Sequence, residues 1–303
     1  MAYQTAITSQ GTADHVYFEF DLADGADKDQ VGAKLALVAD TPFVMGVGIV
    51  IGIRPSLWEE IAPDPQFVPV GVHDFAEPLR GAGDYAMPAT QHDVWVWIAG
   101  PDRSRVYDAS ESMLRTFEGL LVTATETAGW VYESNRDLTG FEDGTENPGA
   151  LAAPSLVAVP DGQPGAGSSV LLYQLWEHKR EWEKLHTQAQ ERVIGRTKTD
   201  SVELEGAEAR ESSHAQRTVV EVDGEEQHIY RHNTAYGGHR SRGTVFVGFS
   251  FDQWRTEEML RRMAGADGGP RDALTYFADA VTGGWYTCPS VEAFLAMAPD
   301  DED

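Results

Sequence analysis

One order of elements occurs twice in this chain, and it restricts the fold more than any other feature. Residues 15–21 (HVYFEFD) alternate in polarity and are β-branched or aromatic, the period of a half-buried strand. Residues 27–38 carry Val31, Leu35 and Val38 at helical spacing behind an acidic first turn. A second strand is expected over 43–53, and Pro55 opens a short helix. An irregular stretch with five prolines fills 62–92. A strand at 93–98 follows, then an amphipathic helix at 105–121 with Met113, Phe117, Leu120 and Leu121 on one stripe, then a closing strand at 130–132. The order βαββαβ makes an antiparallel sheet with helices on one face, the split-βαβ or ferredoxin-like arrangement.

The pattern resumes after 146–168, a stretch rich in Pro, Gly, Ala and Ser that reads as a connector. A strand is expected over 169–175, a charged amphipathic helix over 176–193, a strand over 244–251 and a helix over 252–263 with Asp252 as its N-cap. The chain therefore reads as α+β, with tandem ferredoxin-like modules at 1–145 and 169–303. Its 303 residues, 42% hydrophobic and 10% aromatic, are enough to bury a core of that size.

Charge narrows the partners. The formal net charge of −26 repels phosphate backbones and anionic lipid, so nucleic-acid and membrane-surface binding are not expected. Cationic donors should be favoured over anionic ones at low salt. The apolar run at 42–53 is too short to span a bilayer, and MAYQTAITSQ has no export signal, so a cytoplasmic protein is expected. Cys288 is the only cysteine, which excludes an intramolecular disulfide, iron–sulfur clusters and CxxCH haem attachment. It reads as a small buried thiol. Eighteen arginines stand against five lysines, a skew that coding bias explains unless individual arginines prove to work as fixed clamps.

Common catalytic signatures are absent. No GxGxxG opens a helix, and there is no P-loop, HExxH, EF-hand loop or Gly-x-Ser-x-Gly. The nine histidines show no tight metal-ligand spacing, and His178 and His186, in the expected charged helix, read as solvated. Three segments stand apart. Residues 140–148, GFEDGTENP, gather turn residues around a carboxylate, with Gly140 and Gly144 free to adopt backbone conformations closed to other residues. The second, HAQR at 214–217, follows the GRTK of 195–198, and the third is YRHN at 230–233. Singly, each has a plain reading: a capped surface turn, a loop histidine, a surface strand charge.

Together, in this order and spacing, they resemble the dye-decolorising peroxidases, and the resemblance extends over essentially the whole chain. Its compact length is similar to the bacterial B-type subgroup. The resemblance implies a dimeric α+β barrel type of fold and one non-covalent haem b per chain. It implies His214 as the axial haem ligand and metal-binding residue, with Asp143 as distal acid/base and Arg231 as distal cation. Asn233 is implied as a further distal polar residue, and Arg196 as the partner of a haem propionate. Gly144 and Thr145 are implied as haem-contacting residues of the motif. An acidic partner for His214 is also implied, Asp272 first and Asp279 second. Hydrogen peroxide and small or bulky organic donors are the implied substrates, with a ferryl intermediate between them, and a homo-oligomer is expected.

Some departures accompany the likeness. His232 follows Arg231 where many relatives have a second arginine, and WYTCPS at 285–290 replaces a more uniformly aromatic run. The acidic end at 300–303 lacks the extended tail by which some relatives enter a protein nanocompartment, so encapsulation is not expected.

The chemistry of these residue types agrees with the resemblance. Neutral imidazole is a strong axial ligand, and a carboxylate accepting its other N–H raises its basicity. A carboxylate can carry a proton between the two oxygens of peroxide, and a permanently charged guanidinium can stabilise the charge that develops. An ordinary Asp titrates near ~3.9, so an acidic optimum for donor oxidation is expected. Two readings compete with peroxidase turnover: a porphyrin-handling protein that uses the same residues, and a non-haem metal-dependent hydrolase built on the many carboxylates.

Overall fold

The computed structural model describes residues 1–39, 46–149 and 151–298. Residues 43–45 of the expected second strand, and the acids at 300–303, lie outside the described residues. The first half forms β1 (Asp14–Leu22), α1 (Lys28–Ala39), β2 (Gly48–Ile53), α2 (Pro55–Ile61), β3 (Val94–Gly100), α3 (Arg103–Phe117) and β4 (Leu121–Trp130). The second half forms α4 (Ala153–Val157), β5 (Ser169–His178), α5 (Thr187–Ile194), α6 (His214–Thr218), β6 (Tyr230–Arg231), β7 (Thr234–Gly237) and β8 (Arg242–Ser250). It ends with α7 (Trp254–Ala264), β9 (Ala278–Ala280), β10 (Gly284–Cys288) and α8 (Val291–Met297).

Each half orders its strands the same way, β4-β1-β3-β2 in the first and β10-β5-β8-β7 in the second, all antiparallel. The halves then join edge to edge. Ala235 and Tyr236 of β7 pair with Trp130 and Gly129 of β4, and Thr287 of β10 pairs with Ile53 of β2. Eight strands thus close into a barrel, with β6 and β9 adding short edges to β8 and β5. Closure leaves each sheet face a defined environment, and strand alternation sorts the side chains between them.

On β1, Val16, Phe18 and Phe20 point outward and pack under α1, α3 and α8 with Leu35, Met113, Phe117 and Phe294. The alternate residues point inward. Tyr17 joins Trp95, Trp97, Tyr173, Phe249, Tyr286 and Cys288 in the barrel interior. That interior also holds polar groups. His15 Nδ1 accepts from Trp97 Nε1 at 3.0 Å, and Glu19 accepts from the hydroxyls of Tyr286 (2.7 Å) and Thr125 (2.9 Å). Burial lowers His15 to a pKa of about 4, so its ring sits neutral, and raises that of Glu19 above the usual carboxylate range. A third layer covers the outer face of β5 and β10, where Leu172, Trp176 and Trp285 meet Met259, Leu260 and Met263 of α7.

Two sequence expectations need correction. The helix expected over 176–193 starts eleven residues later, at Thr187. Trp176 and Glu177 instead continue β5, paired with Thr244 and Gly243 of β8, because the outer sheet face buries Trp176 and half-buries His178. The helix waits for His186, whose Nδ1 caps it by accepting from Ala189 N–H at 3.2 Å. Of the closing strand expected at 130–132 only Trp130 belongs to a strand, as the last residue of the ten-residue β4, whose TATETAG stretch is polar and mostly exposed. Backbone pairing with β1 makes it a strand without an apolar alternation to announce it. Helix α7 begins two residues after Asp252, which still accepts the backbone N–H of Arg255 at 3.2 Å.

Candidate active site

The third layer is incomplete over β5 and β8, and a cavity of about 1190 Å³, its open mouth included, takes the remaining space. The outer faces of β5 and β8 form one wall, α6, α7 and the turn Ala273–Tyr276 another, and residues of the 137–146 loop a third. The lining is largely apolar, with Ile194, Val219, Phe246, Met259, Leu260, Met263 and Leu274, but polar groups converge on it from every wall.

His214 begins α6 and stands on the helical wall. Its approach depends on Gly195, which ends α5 in the left-handed region at φ +92. A Cβ at 195 would come within 2.8 Å of Ser213 Oγ and 3.0 Å of Ala215 Cβ, so glycine lets the two segments meet. The His214 Nδ1 donates to Asp272 Oδ2 at 2.7 Å. Asp272 is fully buried, and its Oδ1 is held by the N–H of Leu274 at 2.8 Å. With Nδ1 so engaged, the lone pair of Nε2 is left for the cavity. The second acidic candidate, Asp279, pairs instead with Lys179 at 2.6 Å and does not line the cavity.

The opposite groups come from the GFEDGTENP loop and from β6. Gly140 and Gly144 both have positive φ, +88 and +72. This turn places Asp143 on the cavity, with its Oδ1 accepting the Gly144 N–H at 2.7 Å. Arg231 lines the same cavity and forms no ion pair among the described residues. Asn233 lines it too, but its Oδ1 accepts the Val247 N–H at 3.1 Å, so only its amide nitrogen is left to turn inward. Arg196, Gly144 and Thr145 complete this side. The Arg196 guanidinium pairs with Glu146 at 2.6 Å and Glu203 at 3.7 Å, and reaches Thr145 Oγ1 at 3.4 Å.

Sequence reasoning overlooked three residues here. Asn147 exchanges two hydrogen bonds with the backbone of Arg231, donating to its carbonyl (2.7 Å) and accepting from its N–H (2.9 Å). The motif thereby holds the strand that carries the arginine, and its asparagine was in plain view. Removing Asn147 as Asn147→Ala should slow the reaction with peroxide about tenfold, the size of one or two lost bonds. Stopped-flow mixing checks this, and an unchanged rate would mean that β6 alone positions Arg231. Asp137 also lines the cavity, its pKa raised to about 6 by burial although both the N–H and hydroxyl of Thr139 bind it. His178, read as solvated, is half-buried, bonded to Thr244 Oγ1 at 3.1 Å, and held near pKa 4 by desolvation and Arg242. Only the pairing of β5 with β8 could have shown this.

Comparison with known proteins agrees with this geometry. A family model described as "Dyp-type peroxidase, C-terminal" matches residues 134–293. A dye-decolorizing peroxidase of Mycolicibacterium paratuberculosis is 36% identical over 256 residues, covering 82% of this chain and 71% of that protein. The chain belongs to the Dyp-type peroxidases. Among solved structures, a variant of DypB from Rhodococcus jostii in complex with heme superposes with a TM-score of 0.87 at 28% identity, over 98% of this chain and 99% of that one. The encapsulated DyP-type peroxidase of Mycobacterium smegmatis does so with 0.87 at 27% identity, over 98% and 99%.

This protein is therefore a peroxidase, and haem is its cofactor. The cavity suits that group: its walls are apolar, and a carboxylate-oriented histidine offers a free ring nitrogen. Gly248 adds a further fit. A Cβ there would lie 2.8 Å from the Phe246 ring, so the glycine lets that ring fold down along the sheet. No group of three or more His, Cys, Asp or Glu that could hold a metal ion occurs among the described residues. Among the described residues no helix is long and apolar enough to cross a membrane.

Proposed function

We propose that His214 holds the haem iron through Nε2, and that Asp143 and Arg231 cleave hydrogen peroxide on the opposite side so that organic donors can be oxidised. The observation that carries this reading is the convergence of a carboxylate-bound histidine, an aspartate and an unpaired arginine on one apolar cavity. Bound haem supplies an iron that accepts peroxide and takes up its two oxidising equivalents. Asp143, with Oδ1 occupied by Gly144, uses Oδ2 to take the proton from one peroxide oxygen and deliver it to the other, which departs as water. Arg231 holds the negative charge that builds on the peroxide while the proton is in transit. Asp272 keeps the His214 ring in one tautomer and orientation and strengthens it as a ligand. Arg196 would pair with a haem carboxylate by exchanging part of its contact with Glu146 and Glu203.

Donor oxidation draws on the acidic surface, which favours cationic and neutral molecules. The likeness to an encapsulated peroxidase over 98% of this chain supports nanocompartment loading, against the expectation from the acidic end at 300–303. The deciding experiment is the absorption spectrum after haem loading. Wild type should show the Soret band of a histidine-ligated haem, His214→Ala should lose or shift it, and Asp272→Asn should shift it less. An unchanged band in His214→Ala would sink the ligand assignment.

A further inference from the structure

Gln174 is 1% exposed and lines the cavity, yet neither the oxygen nor the nitrogen of its side-chain amide has a hydrogen-bond partner. A buried primary amide with both ends unpaired is costly, so a chain that keeps one on a cavity wall completes it with something in the cavity. The register says what lies beside it. Gln174 pairs with Phe246 across β5 and β8. Thr234 pairs with Val245, so Asn233, one residue earlier, comes to the other side of Phe246. The cavity wall thus presents a row of amide, aromatic ring and amide, with Arg231 one strand step further along. The ring can fold flat between the two amides because Gly248 leaves room for it.

The missing partner is neutral. Around Gln174 the wall is Phe246, Trp176 and the methionines of α7, with no cation in its row to hold a carboxylate. A primary amide both donates and accepts, and so does each O–H of hydrogen peroxide. We infer that Gln174 is a peroxide-binding residue of this chain, an amide that accepts from and donates to neutral hydrogen peroxide as it passes to Arg231 and Asp143. The inference rests on the assignment of those two residues to the peroxide side.

The haem-loaded chain and two variants test it. Gln174→Met keeps the length and removes the amide, and should lower the second-order rate constant for peroxide about tenfold while leaving the half-saturating donor concentration unchanged. Gln174→Glu should recover toward wild type as the pH is lowered, because a protonated carboxyl again offers one donor and one acceptor. A merely structural role would not produce that pH-dependent rescue. In a crystal of the loaded wild type, an ordered solvent or peroxide oxygen should lie within hydrogen-bond distance of the Gln174 amide. Equal peroxide rate constants in all three proteins, or a wild-type amide with no oxygen in reach, would overturn the inference. A wild type that loads haem but does not react with peroxide would instead overturn the function proposed above.

Discussion

Asp143→Asn and Arg231→Leu should each slow the reaction of the haem-loaded protein with hydrogen peroxide by about a hundredfold or more. Asparagine keeps the shape of Asp143 and its bond to the Gly144 N–H, but it cannot accept and return a proton. A positioned acid/base group is worth about 10²–10⁴ in rate. On the role proposed for it, Arg231→Leu removes the charge that would face the peroxide, a loss of about 10²–10³ for a single preorganised donor. Stopped-flow measurement of the peroxide-dependent phase, at fixed pH, separates the two. If they serve one step as a unit, the double variant will be little slower than the slower single one. Rates within about threefold of wild type for both would remove these residues from the mechanism. Donor oxidation after the peroxide phase should be nearly unaffected, since neither side chain is assigned to the donor.

The second large effect is on stability in acid. His15 is buried and His178 and His232 are half-buried, and all three are lowered to about 4, chiefly by desolvation. Between pH 6.5 and 4 the unfolded chain binds protons on these rings and the folded chain does not, so each withdraws up to about 3 kcal/mol of stability across that window. Asp137, raised to about 6, and Glu19, also raised, act in the opposite sense. They are protonated in the folded state while the unfolded chain is still ionised, so they contribute stability that is lost as pH rises through their folded values. Across that window the three rings withdraw stability on acidification, and Asp137 and Glu19 offset part of the loss.

Glu19→Gln removes one of the opposing groups while preserving its contact with Tyr286, and should steepen that loss. Guanidinium midpoints of wild type and variant at pH 6, 5 and 4.5 measure it. Parallel profiles would mean that Glu19 is ionised in the folded protein. If Asp143 acts as proposed, the stability of the fold in acid, set by these histidines, limits the pH range in which turnover can be measured.

How much of this was legible in the sequence differs from element to element. The barrel strands rich in aromatic and β-branched residues, such as 15–21 and 93–98, declare themselves because one face is buried by helices and the other by the barrel interior. Strand β4 does not, since its outer residues face solvent and only its backbone is committed. His178 was misplaced for a related reason. The charged residues around it fit a helix face, and only pairing with β8 shows that the strand continues. Gln174 and Asp137 carry no local signal at all, being one polar residue in an apolar strand and one carboxylate in an acidic chain.

What the sequence alone determined is the repeated module and the three motif segments, because strand alternation, helical spacing and turn chemistry are written in residues near one another. The separations of Asp143, His214, Arg231 and Asp272 are long, and no local rule relates them. Only the tertiary structure decided that Asp143, His214 and Arg231 share a cavity, that Asp272 rather than Asp279 meets His214 behind it, and that Asn147 ties the motif to Arg231. The physical reason is barrel closure. Antiparallel pairing brings β5, β8 and the loop before α4 to one face, and the third layer stops short of covering it. A site of this kind is made by which strands become neighbours, a choice settled by burial across the whole chain.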